Sequence, residues 1–157
     1  MSSQPIKQLT LTRILNAPRA LVYKVWTDEK HMAEWWGPKN FTNPVCKMDV
    51  RPGGAILIHM AWPGGGPVFP MKGIFYEVEE PVKLVFSSLA FEKEDGTFGI
   101  ENMNTITFED LGNNQTKLTV HAEVFKADPE FAAALAGMDQ GWSESLVKLE
   151  DLLAAIQ

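Results

Sequence analysis

DPEFAAALAGMDQGWSESLVKLEDLLAAI, residues 128–156, is the stretch from which the fold is read. Asp128 is an acidic N-cap, Pro129 takes the first helical position and Glu130 places a carboxylate in the first turn, all favourable at a helix N-terminus. Phe131, Leu135, Met138, Trp142, Leu146, Leu149, Leu153 and Ile156 then recur in steps of three or four, while Glu130, Asp139, Glu144, Lys148 and Asp151 fall elsewhere. The pattern predicts one amphipathic helix of about 27 residues, roughly 40 Å long at about 1.5 Å per residue. Its apolar stripe is longer than any strand expected ahead of it, so its partner is the face of a whole sheet. Gly137 and Gly141 each cost about 1 kcal/mol relative to alanine in a helix interior. They mark a kink or a close approach beside Met138 and Trp142.

Ahead of that helix the periodicity is of another kind. Leu9, Leu11, Arg13 and Leu15 alternate with Thr10, Thr12 and Ile14, a first strand ended by Asn16-Ala17-Pro18. Pro18 opens a short helix carrying Leu21, Val22, Val25 and Trp26, and Thr27-Asp28 restarts a second through Met32, Trp35 and Trp36, stopped by Gly37-Pro38. From Phe41 onward strands are expected at Val45–Val50, Ala55–Trp62, Met71–Glu79, Lys83–Phe91, Gly99–Phe108 and Gln115–Val124. Turn chemistry separates them at Arg51-Pro52-Gly53-Gly54, Pro63 to Pro67, Glu80-Pro81, Glu94-Asp95-Gly96 and Gly112-Asn113-Asn114. Such short connections imply an antiparallel meander. Ile56, Ile58, Met60 and Trp62, then Ile106 and Phe108, then Leu118, Val120, Ala122 and Val124 read as the face turned to the helix. Between Met71 and Glu79 the inward side is contested, with Ile74, Tyr76 and Val78 set against Gly73 and Phe75. The fold class is α+β: a curved antiparallel sheet of about seven strands packed on a long C-terminal helix, with two short helices after the first strand.

The chain of 157 residues is read as one domain with an ordered core from about 8 to 156, long enough to bury that core without disulfide or metal. With 14 basic and 20 acidic residues, a net charge of −6 and no Lys/Arg cluster, nucleic acid is a poor partner. Met1-Ser2-Ser3-Gln4-Pro5 is polar, with no signal-peptide core behind it, and no apolar run approaches the length of a membrane span. The expected location is therefore the cytoplasm, with no membrane insertion. Cys46 stands alone and reads as a structural thiol. Five tryptophans, nine phenylalanines and seven methionines are the more informative feature, because together they are suited to lining a space as well as filling one.

The order of these signals resembles the helix-grip fold of the birch-pollen-allergen and START-type superfamily, and within it the family named for the C-terminal domain of the heat-shock protein 90 ATPase activator. The residues that carry the likeness are Arg13 with Ala17-Pro18, Trp35-Trp36-Gly37-Pro38, Asp49-Val50-Arg51-Pro52-Gly53-Gly54 and Met60. Gly73, Pro81 with Leu84-Val85-Phe86, Thr116 and Gly141-Trp142 extend it to the last helix. The sequence departs from that pattern at Ile56, where such proteins often carry an aromatic, and at Gly64-Gly65-Gly66, a loop bracketed by prolines and expected to be a mobile hairpin. The resemblance implies binding of an apolar small molecule between helix and sheet, the alternatives being a polyketide cyclase/aromatase-type enzyme in the same cavity or a chaperone-associated interaction module. These residues hold no counterpart of the separate N-terminal domain of the eukaryotic co-chaperone, which places small-molecule binding ahead of chaperone stimulation.

Candidate cavity residues are Trp35, Trp36, Ile58, Met60, Trp62, Phe75, Phe86, Met103, Met138 and Trp142, each of which also reads as core. Trp142 is expected to do both, with one edge packed and the other facing the ligand. Chemistry would need a buried acid or base, and His59, Glu77 and Glu101 are the strand residues that would supply one if they project inward. His31, His59 and His121 lie in three distant elements without metal-ligand spacing, and no cofactor fingerprint occurs, so neither metal nor cofactor is expected. Ser143 and Ser145 read as solvent-facing helix positions, and Asp49 with Arg51 as a structural ion pair. Between monomer and homodimer the sequence makes no choice.

Overall fold

The computed structural model describes residues 4–157; Met1, Ser2 and Ser3 of the polar start lie outside the described residues. The chain runs β1 (Lys7–Leu15), α1 (Arg19–Thr27), α2 (Glu29–Trp35), β2 (Thr42–Met48), β3 (Ala55–Ala61), β4 (Val68–Glu79), β5 (Lys83–Glu92), β6 (Phe98–Gly112) and β7 (Gln115–Ala127). A 3-10 turn (Pro129–Phe131), α3 (Ala132–Ala136) and α4 (Met138–Ala155) follow. All seven strands form one antiparallel sheet in the order β1-β7-β6-β5-β4-β3-β2. Every connection from β2 to β7 is a hairpin, and β1 closes the far edge against β7. Pro44 lies on β2, an edge strand, where the missing N–H costs no ladder bond. This is the α+β helix-grip architecture, with α4 packed on the sheet.

The last helix is not the unbroken rod that its stripe predicts. Gly137, at φ −85° and ψ 0°, separates α3 from the 18 residues of α4, which span only about 27 Å. Phe131, the last residue of the 3-10 turn, takes φ −107° and ψ 21° and breaks the helical path before α3. Asp128 makes no side-chain cap, because its carboxylate pairs with Lys93 across the end of the β5–β6 hairpin. The longest strand exceeds α4: β6, with 15 residues, runs about 50 Å at roughly 3.4 Å per residue. The helix therefore grips part of the sheet, and the sheet extends past it.

On β4 the contested side is settled by Met71, Gly73 and Phe75, which face the core, while Ile74 and Tyr76 face outward, 41% and 52% exposed. The cause is steric. A Cβ on Gly73 would stand 2.0 Å from the Ser87 carbonyl oxygen, so no side chain fits where β5 crosses so closely. A bulge between Phe75 and Glu77 then resets the register. The core gathers Trp26, Trp35, Phe75, Phe86 and Phe108, each buried, with Leu146, Leu149 and Leu153 of α4 closing over them. Asp49 and Arg51 pair at 2.7 Å in the exposed turn before β3, as a structural ion pair would.

Candidate ligand-binding cavity

The site begins at the stop of α2. Gly37 takes φ +93°, a left-handed conformation that favours glycine, and turns the chain from α2 towards β2. Four side chains fasten this turn. Trp35 Nε1 donates to the Val25 carbonyl at 2.9 Å, and Asn43 Nδ2 donates to the carbonyls of Ala33 and Trp36 at 3.0 and 2.8 Å. From α4, the Ser145 hydroxyl donates to the Gly37 carbonyl at 2.8 Å, and the Lys148 ammonium sits 3.2–3.4 Å from the carbonyls of Trp36, Gly37, Pro38 and Phe41. Burial holds the Lys148 pKa below the ordinary lysine value, against the opposing pull of Glu144. Ser145 is thus a buried clamp between α4 and the turn, not the solvent-facing residue its helical position suggests.

Between this clamp and the sheet lies a cavity of about 190 Å³. Trp36, Gly37 and Pro38 form one wall, and Met138, Gly141, Trp142 and Ser145 of the last helix another. The sheet contributes Met60, Met71, Ser88, Ala90, Ile100 and Asn102. The Trp142 ring lies 6.4 Å from that of Trp26 in a near-parallel stack and 5.4 Å from that of Trp36 in an edge-on contact, so the two lining tryptophans brace each other. Trp142 remains 8% exposed, packed into the core on one side and open to the cavity on the other.

Apart from Ser145, the polar side chains of the lining come from one patch of sheet. Ser88 on β5 and Asn102 on β6 are directly paired across the strands. Asn104, fully buried, shares their side of the sheet and donates from Nδ2 to Ser88 Oγ at 3.0 Å. Among the described residues, Asn102 Oδ1 and Asn104 Oδ1 are buried without a hydrogen-bond partner. A buried unpaired acceptor costs about 1–3 kcal/mol, which makes the patch a place where a ligand can repay an existing deficit. Among the described residues, no acid, base or cation lines the cavity.

Of the residues proposed from sequence, Trp36, Met60, Met138 and Trp142 meet at this cavity. Trp35, Ile58, Phe75 and Phe86 do not line it; they are buried in the core cluster beneath. Trp62 fails the alternation that placed it inward, because β3 ends at Ala61 and the ring, 51% exposed, turns onto Phe41 at 5.1 Å and Phe69 at 6.3 Å. Met103 has the opposite parity to Asn104 and Ile106 and lies on the outer face. His59, Glu77 and Glu101 likewise project away from the cavity. His59 alternates with the inward Ile58 and Met60, Glu77 is exposed 3.5 Å from Lys83, and Glu101 faces Lys126 at 3.9 Å. Sequence reasoning missed Met71, Ala90 and Ile100 in the wall, and the polar Ser88, Asn102 and Asn104. Their signal was present: Asn102 and Asn104 fall on the same parity as Ile100, Ile106 and Phe108, polar groups in positions that the strand pattern reserves for the core.

Residues 16–154 match the family described as Activator of Hsp90 ATPase homolog 1-like protein. The chain belongs to that family. Among solved structures, a Nitrosomonas europaea protein is 26% identical over 94% of both chains, with a TM-score of 0.74. An Arthrobacter aurescens protein is 22% identical over 94% of this chain and 86% of its own, with a TM-score of 0.80, and shares the fold. So does the Silicibacter pomeroyi AHSA1 protein, 22% identical over 96% of this chain and 100% of its own, with a TM-score of 0.77. No curated protein sequence matches the chain.

In this member of the Activator of Hsp90 ATPase homolog 1-like family, the residues that carried the resemblance acquire physical roles. Trp35-Trp36-Gly37-Pro38 is the clamped turn, and Gly73 is the strand crossing that admits no side chain. Gly54 has the same cause in the turn before β3, where a Cβ would lie 1.8 Å from the Asp49 carbonyl oxygen. Ile56, in place of the family's frequent aromatic, is buried core. In the Gly64-Gly65-Gly66 loop, Gly66 lies flat against the Trp62 ring, a Cβ there standing 2.8 Å from Cδ1. Gly141 permits no special approach: its nearest neighbour, Pro38 Cγ, would be 3.7 Å from a Cβ, an ordinary contact.

Proposed function

We propose that the protein binds an apolar small molecule in the cavity between α4 and the sheet. The observation that carries this reading is the cavity itself, about 190 Å³ and lined by two tryptophans and three methionines. An apolar cavity of about 150 Å³ takes benzene, so the size suits one ring with a short substituent, or two small rings. Methionine walls adapt to ligands of differing outline, and the paired indoles offer flat surface at low entropic cost. Proton-transfer chemistry finds no acid or base in these walls. Binding is therefore favoured over a cyclase-type reaction, and Hsp90 ATPase activation stays with the protein that the family description names.

Calorimetric titration with ethylbenzene, read alongside tryptophan fluorescence, tests the reading. Saturable one-site binding with a change in emission is expected. Linear, non-saturating heats with unchanged emission would count against it.

A further inference from the structure

Resting on that reading, we infer that the ligand is an uncharged aryl or alkyl alcohol, whose hydroxyl is held between Ser88 and Asn102 while its apolar body lies against Trp36 and Trp142. The patch offers both a hydrogen-bond donor and an acceptor. Ser88 Oγ already accepts from Asn104 Nδ2 at 3.0 Å, which leaves the Ser88 hydroxyl proton to be donated elsewhere. Asn102, its direct cross-strand partner and a lining residue, has a buried Oδ1 acceptor with no partner among the described residues. One donor and one spare acceptor on adjacent strands match a group that both accepts and donates. A hydroxyl does both from a single atom.

The same patch discriminates against charge. A carboxylate has no proton for Asn102 Oδ1 and would be desolvated with no cation among the lining residues. An ammonium group would find acceptors but no anion to offset its burial. A pure hydrocarbon fits the volume and leaves the buried acceptor unpaired. The ordering that follows is alcohol above hydrocarbon above carboxylate, for ligands of one shape.

The experiment compares 4-ethylphenol, ethylbenzene and 4-ethylbenzoate by calorimetry at neutral pH, on the native protein and on Asn102→Leu. In the native protein, 4-ethylphenol is expected to bind about tenfold more tightly than ethylbenzene, the worth of one well-placed hydrogen bond to a formerly unpaired acceptor. 4-Ethylbenzoate is expected to bind more weakly than either. Asn102→Leu should erase the advantage of the phenol, which on that variant should bind within about twofold of ethylbenzene, since the acceptor that distinguishes the two ligands is gone. Equal affinity for the phenol and the hydrocarbon in the native protein, or preference for the benzoate, would overturn the inference while leaving the apolar cavity intact. Saturable binding of none of the three would remove both. The native-protein series needs no variant, so the inference stays testable even if Asn102→Leu does not fold.

Discussion

Replacing Trp142 by alanine separates the two roles that its position gives it. A fully packed indole buries about 200 Å², worth about 5 kcal/mol at roughly 25 cal/mol per Å². Trp142 is not fully packed by protein: one side meets Trp26 and Trp36, and the other borders the cavity. Counting about two-thirds of the ring as packed gives a loss of about 3 kcal/mol, at the lower end of the range for large aromatic truncations. In a chain of this length that lowers the melting temperature by about 6–12 °C. The ethylbenzene affinity should fall by at least tenfold at the same time, because the truncation removes one wall and merges its volume with the cavity. Thermal melts followed by circular dichroism and calorimetric titration at a temperature where the variant is folded measure the two effects separately. A loss near 5 kcal/mol with native ethylbenzene affinity would make the residue core alone. An unchanged melting temperature together with unchanged binding would refute the placement of the ring altogether.

Gly141→Ala is expected to raise the melting temperature by about 2–4 °C, because alanine favours a helix interior by about 1 kcal/mol and a Cβ there meets only Pro38 at 3.7 Å. Gly73→Ala should lower it, by about 1–3 kcal/mol of overpacking strain or more, since its Cβ would stand 2.0 Å from the Ser87 carbonyl oxygen; equal and small effects at the two glycines would contradict both assignments. Burial pushes the Cys46 thiol up to about 11, so at pH 8 thiol labelling of the native protein should be at least about 100-fold slower than in guanidinium, and comparable rates would place the thiol in solvent instead. Asp128 and Asp139 are held below the usual carboxylate value by Lys93 and Lys7, so the native state binds fewer protons than the unfolded chain on the acid side. The stability they contribute is present above about pH 4 and is lost as pH falls through their lowered values, and Asp139→Asn should flatten the fall of melting temperature in that window. An acid limb identical to native would show that the Lys7 pair contributes nothing.

The sequence by itself determined the architecture, because the signals for it are local. Period-two alternation in β1, β3, β6 and β7, the glycine and proline turns between strands and the apolar stripe of the last helix each act within a few residues. Together they admit one antiparallel meander gripped by one helical end. Parity also placed Ile58 and Met60 inward without ambiguity. Local pattern had less hold where two elements compete for one residue. The stripe from Phe131 to Ile156 is compatible with a continuous helix and Gly137 marks its break, but the pairing of Asp128 with Lys93, which leaves the helical start without its side-chain cap, is a contact between distant segments. Trp35 and Trp36 are adjacent and both buried, yet one is core and the other cavity wall, a difference set by where Ser145 and Lys148 fasten the Gly37 turn. Trp62 obeys the alternation of β3 on paper and leaves it in space, because the strand ends one residue earlier. Asn102 and Asn104 could be read as polar residues on a core face. That the Asn104 amide reaches Ser88, and that Ser88 and Asn102 border a cavity, depends on the pairing of β5 with β6 and on how far α4 stands from the sheet, which are distances between segments that no local pattern encodes.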